Sequence, residues 1–180
     1  FVTIKIYSMF KRIQKIFLLK NTKNYLDNRT TNNINDSLKT IGFLVNEEVN
    51  IDFEKFFEVS RTLGVHQKDV KIFSFLDFKT KTPTLIQNRI YSNHFNWRGQ
   101  INNCNALDFL TINLDVLVGY YKSKNEYLNL MVAKSNAKFK VGFTGVDDRL
   151  FDLIINIDLQ NTDEVKNELK KYFKVLNKID

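Results

Sequence analysis

From residue 41 onward, short apolar runs without polar alternation are separated by segments of helical spacing, and this order constrains the fold more than any other feature. The runs at 41–45, 70–78, 91–97, 115–120, 138–143 and 153–157 read as strands. Residues 52–63 carry Phe53, Phe56, Phe57 and Val59 at helical spacing, with Gly64 as a C-terminal stop. Residues 106–112, capped by Asn105, and residues 126–134 read as two further helices. Residues 163–177 form a terminal one, with Val165, Leu169, Tyr172, Phe173 and Leu176 on one face. Parallel strands need crossovers of this length, and strands apolar throughout need a covering layer on each side. The expectation is an α/β fold, a single Rossmann-like three-layer sandwich with a mainly parallel sheet of five or six strands and a basic N-terminal helix. Sixteen Phe in 180 residues supply ample core for one domain.

Charge divides the chain unevenly. Seven basic residues (Lys5, Lys11, Arg12, Lys15, Lys20, Lys23, Arg29) and one acid, Asp27, precede Thr30, so this end holds +6 of the net +7. The other 151 residues, with 20 basic and 19 acidic side chains, are nearly neutral. A localised basic arm points to a polyanionic partner. Met9, Phe10, Ile13, Ile16 and Phe17 share a helical face, whereas Leu18 and Leu19 fall on the basic side. Residues 28–37 are polar and turn-rich, which divides the chain into an arm with linker at 1–37 and an α/β domain at 38–180, the body folding without the arm. Met9 reads as a plausible native start, with residues 1–8 as an extension. The run Ile16 to Leu19 is too short for a signal-peptide core or a membrane span. The single Cys104 excludes an intramolecular disulfide and fits a cytoplasmic location.

Chemical signatures are sparse. Neither dinucleotide nor mononucleotide glycine fingerprints occur, and no cofactor is expected. Gly142 and Gly145 read as turn chemistry, with Asp147 and Asp148 favouring a helix start rather than a cation site. His66 and His94 are too far apart for ligand spacing, so no metal is expected. Cys104 reads as a small buried hydrophobe. Residues 79–84 form a basic loop around Pro83. Residues 91–99 hold Tyr, His, Phe, Trp and Arg within nine positions; aromatics interleaved with Arg stack on bases, and they also suit an edge strand with its turn. In open α/β sheets ligands sit beyond the strand C-termini, which makes Arg98, Tyr121, Lys122 and Thr144 crevice candidates. Lys11, Arg12, Lys15, Lys20 and Lys23 are the polyanion-binding candidates. No catalytic residue stands out.

At 115–121 (DVLVGYY) and 133–143 (AKSNAKFKVGF), with strand 41–45 and turn 95–99, the chain resembles an uncharacterised family of short flavobacterial-type proteins, DUF6913. That resemblance implies no activity. The same strand–helix–strand stretch is faintly similar to a unit in the N-terminal half of heptosyltransferase-type glycosyltransferases, which implies a Rossmann-like unit more than an activity.

Three readings follow. The leading one is a non-catalytic binding or assembly factor whose basic arm contacts RNA or a ribonucleoprotein or protein complex. The second is a degenerate or partial glycosyltransferase-like or nucleotide-binding enzyme with a crevice after the strands. The third is attachment of the arm to an anionic membrane surface, which Leu18 and Leu19 disfavour; no integral membrane segment is expected.

Overall fold

The computed structural model describes residues 2–31, 33–78 and 87–180, with side chains from residue 9 onward. The basic loop expected at 79–84 lies outside the described residues. Six strands, β1 (Ile41–Asn46), β2 (Val70–Leu76), β3 (Arg89–Tyr91), β4 (Val116–Tyr120), β5 (Phe139–Phe143) and β6 (Leu153–Ile155), form one sheet in the order β3-β2-β1-β4-β5-β6. Every pairing is parallel. The described helices are α1 (Val2–Asp27), α2 (Glu54–Thr62), α3 (Cys104–Thr111), α4 (Glu126–Lys134) and α5 (Thr162–Val175). This strand order is the one of doubly wound dinucleotide-binding folds, with the connection reversing direction between β1 and β4.

The central strands are buried along their whole length, which explains their lack of polar alternation. On one face Phe43, Val118 and Val141 pack on Phe56 and Val59 of α2 and on Val165, Leu169 and Phe173 of α5. On the other, Leu44, Phe73 and Leu117 meet Phe109 and Leu110 of α3, Leu128 and Met131 of α4, and Leu18 of α1. Gly142 makes no turn. It lies inside β5, where the Phe151 ring packs so closely that an added Cβ would stand 2.7 Å from it; Gly145, at φ +100°, makes the turn. Asp147 caps a short 3-10 turn by accepting from the Arg149 N–H.

Three local expectations are corrected. The aromatic run at 91–97 is not a strand: β3 ends at Tyr91, a 3-10 turn covers Ser92–His94, and Phe95 pairs antiparallel with Ile101. The cap of α3 is Asn103, whose Oδ1 accepts from the Ala106 N–H at 2.8 Å, and not Asn105. Cys104, first residue of α3, is exposed.

The N-terminal arm is a 26-residue helix laid against α4. Its inward face is the one that carries Leu18, only 2% exposed, together with Gln14, Asn21 and Thr22. Met9, Ile16 and Leu19 face outward. Of the apolar face expected from Met9, Phe10, Ile13, Ile16 and Phe17, Phe17 packs on Trp97 and Ile13 is half-buried, whereas Met9 and Ile16 face outward. At its base, Arg29 forms a two-pronged ion pair with Asp152 at 2.6 and 3.1 Å. No described helix is long and apolar enough to cross a membrane.

Candidate nucleic-acid interface

The strand C-termini at the β1–β4 reversal are where this architecture ordinarily receives a ligand, and here they are filled by the chain itself. A glycine-rich turn after β1 would offer backbone N–H groups to a phosphate. In its place Asn46 caps a 3-10 turn over Glu47–Val49, its Oδ1 accepting from the Glu48 N–H. The Glu47 carboxylate accepts from the Ser74 hydroxyl at 2.6 Å and pairs with Arg89. A phosphate at this position would meet Glu47 and Glu48. After β4, the Tyr120 hydroxyl donates to the Leu159 carbonyl at 2.6 Å, and Gln160 Nε2 donates to the Val49 carbonyl at 2.7 Å, so the segment after β6 is tied across the opening.

The crevice candidates fall into two places. Tyr121 is wholly buried, its hydroxyl donating to Asn129 Oδ1 at 2.9 Å; burial, seconded by Asp147, pushes the phenol well above its usual range, so it stays neutral. Lys122 pairs with Asp158 at 2.5 Å, and the Thr144 hydroxyl donates to Asn156 Oδ1 at 3.0 Å. Both follow neighbouring strands and engage the segment after β6. Arg98 lies elsewhere, beside α1.

Its neighbourhood joins two features that the sequence presents 80 residues apart. Asn96 Oδ1 accepts from the N–H groups of Arg98 and Gln100 at 2.9 and 3.0 Å, folding 95–101 into a tight hairpin with Trp97 and Arg98 at its tip. Gly99 sits at φ +69°, where an added Cβ would stand 3.1 Å from the Leu18 backbone nitrogen. Only glycine suits both that backbone and that approach. The hairpin leaves carbonyls facing α1, and α1 answers with amides: Gln14 Nε2 donates to Phe95 and Asn96 at 2.8 and 3.2 Å, and Asn21 Nδ2 donates to Arg98 at 2.9 Å. Gln14 Oε1 accepts from the Tyr127 hydroxyl at 2.9 Å. Phe17 meets Trp97 edge to face at 5.6 Å, and the Arg98 guanidinium lies 4.6 Å from the indole centroid. Trp97 remains 48% exposed.

All five cationic candidates, Lys11, Arg12, Lys15, Lys20 and Lys23, are exposed on α1. Lys15 holds Glu126 at 2.5 Å and so helps dock the helix. Between α1 and the hairpin runs a groove of about 230 Å³, lined by the aromatic Phe10, Phe78, Phe95, Trp97 and Tyr127 and by one charged residue of each sign, Lys11 and Asp77. Among the described residues no group of His, Cys, Asp and Glu converges as a metal would require. His94 lies in the 3-10 turn, with Nδ1 3.1 Å from Asn103 Nδ2, and burial draws its imidazole below the usual range.

A family model described as a family of unknown function (DUF6913) matches residues 14–176. The chain belongs to that family. The DUF6913 span opens at Gln14, the residue whose amide bonds the hairpin, and takes in Trp97, Arg98 and the whole sheet. No curated protein and no solved structure matches the chain. Sequence reasoning named the arm and the aromatic segment separately and missed their union. The signal was present in Gln14, Leu18, Asn21, Thr22 and Tyr25, which share a helical face at spacings of three, four and seven.

Proposed function

We propose that this protein is a non-catalytic RNA-binding module, working within a larger assembly, whose contact surface is the outer side of α1 with the 95–101 hairpin. One observation carries the reading: the helix that concentrates the chain's positive charge is docked on the turn that displays its exposed tryptophan and a neighbouring arginine. Basic side chains neutralise phosphates, and aromatic rings beside them supply stacking surface. The filled β1–β4 crevice supports binding at this outer surface over an enzyme-like site after the strands.

The exposed Met9, Ile16 and Leu19 on the same helix favour a second reading, an anionic lipid surface. On a helical wheel, however, Arg12, Lys20 and Lys23 are interleaved with these three, whereas an interfacial helix segregates its apolar side. The RNA reading predicts binding of a single-stranded oligonucleotide with a logarithmic salt slope of about −2 to −3.5, from three to five phosphates at about −0.7 each. Replacing Lys11, Arg12, Lys20 and Lys23 by Gln flattens that slope and weakens all sequences alike. Anionic vesicles titrated in parallel test the second reading. Binding of vesicles without RNA overturns the first, and binding of neither makes the basic helix purely structural.

A further inference from the structure

The groove between α1 and the hairpin has a chemistry distinct from the cationic side of the helix. Five aromatic side chains line it, and its two charged residues, Lys11 and Asp77, are of opposite sign. The exposed Asp77 carboxylate accepts from the Ser92 hydroxyl at 2.5 Å and retains further lone pairs. A flat, neutral, aromatic group would meet ring surface on several sides, which a phosphate could not use. The volume of about 230 Å³ is below the roughly 300–1,000 Å³ of sites for drug-sized ligands. Gln14, on the α1 side, has both ends of its amide engaged, while Asn93, at the rim, is exposed.

Resting on the RNA reading above, we infer that this groove receives one unpaired nucleobase of a single-stranded RNA, stacked against Trp97, while the adjoining phosphates lie along the basic side of α1. The division follows from the lining: Lys11 and Asp77 leave the groove without net charge and its aromatic rings suit a flat base, whereas Arg12, Lys20 and Lys23 on the outer side of α1 draw the phosphates. The carboxylate also sets a preference. An anionic acceptor pairs with exocyclic amino groups, as carboxylates do with cytosine N4, and uracil offers no amino group. The groove therefore favours a base bearing an amino group over uracil. A duplex, whose bases are stacked internally, cannot fill it without unpairing.

Trp97 is the only tryptophan in the chain, so its fluorescence reports on this groove alone. The full chain is titrated with eight-nucleotide oligo(C) and oligo(U), a duplex RNA of equal length, inorganic polyphosphate and phosphatidylserine vesicles. Oligo(C) is expected to quench the indole saturably and to bind more tightly than oligo(U); polyphosphate and duplex are expected to bind without comparable quenching. Trp97→Leu, followed by anisotropy of a labelled oligonucleotide, should lose roughly 5- to 100-fold in affinity while keeping the wild-type salt slope, because stacking releases no counterions. Asp77→Asn, at an exposed position, should collapse the oligo(C) preference with the fold intact, which guards against a Trp97 variant that merely unfolds. Oligonucleotide binding with the expected salt slope but an unperturbed indole overturns the base site and leaves the RNA reading standing. Equal quenching by duplex, or an unchanged preference in Asp77→Asn, also overturns it. If neither polyphosphate nor any oligonucleotide binds, or only vesicles shift the indole emission, both readings fall.

Discussion

Lys140 offers the sharpest test of how the core is held. It is the second residue of β5, 1% exposed, with its Nζ donating to the Val132 carbonyl of α4 at 2.6 Å. Burial, with the Arg29 guanidinium adding to it and Asp152 opposing it, draws the ammonium down from 10.5 to about 7. The unfolded chain keeps the ordinary value. Between pH 7 and 10.5 the unfolded state thus binds a proton that the folded state lacks, and stability rises with pH across that window; below pH 7 the full cost is present. A tenfold change in proton affinity is worth about 1.36 kcal/mol, so the cost at pH 7 is about 4 kcal/mol and falls by about 2 kcal/mol on going to pH 9. Lys140→Met keeps the volume, removes that cost and gives up one hydrogen bond worth about 1 kcal/mol. The Val132 carbonyl still accepts from the Ser135 N–H at 3.3 Å. Urea unfolding at pH 7 should show the variant more stable by about 1–3 kcal/mol, and the gap should close by about 2 kcal/mol at pH 9. Parallel stability profiles for the two proteins between pH 7 and 9 would falsify the account, for they would mean that Lys140 is charged and solvated in the fold.

Other outcomes follow from the same geometry. Gly142→Ala places a methyl against the Phe151 ring, at 2.7 Å before relaxation, and should lower stability by about 1–3 kcal/mol in chemical denaturation; Gly142→Ala combined with Phe151→Leu should recover part of it. Burial tends to raise the Asp115 carboxyl, but the Lys138 ammonium at 2.8 Å and the Thr40 and Lys39 donors outweigh it and hold it below the usual carboxylate range. Its contribution is present above the unfolded value near 3.8 and is lost as pH falls through the folded one. Asp115→Asn should accordingly lower the thermal midpoint at pH 7, with a difference from wild type that shrinks as the pH is taken below the unfolded value near 3.8.

The layered sheet was legible because its signal is strong and local. Uninterrupted runs such as Phe43-Leu44-Val45 and Val116-Leu117-Val118 occur only where both faces are covered, and the helices between them carry clear apolar stripes. β3 was not legible. It has three residues, begins with the charged Arg89 and is tied by it to Glu47 in the 3-10 turn after β1, a partner 42 positions away. The docked face of α1 escaped for a related reason. Hydrophobic periodicity looks for apolar side chains, but the hairpin offers three backbone carbonyls, so the face that fits it presents the amides of Gln14 and Asn21 beside Leu18. The filled crevice depends on Tyr120 and Gln160 reaching across the sheet end, which only the fold brings together.

The long reach of the α1 contacts bears on the order in which the protein takes shape. Gln14 meets Tyr127 across 113 positions, and Arg29 meets Asp152 across 123. The central strand waits too, since Ile41 pairs with Val116. On the ribosome, α1 therefore emerges well before the turn and helix that hold it, and most of the sheet must be synthesised before it can seat. Throughout that interval Leu18 is uncovered along with Ile16 and Leu19, on a segment rich in positive charge. The nascent chain is thus most exposed to premature association at the end that later forms its outer surface, and the all-parallel pairing makes that interval long.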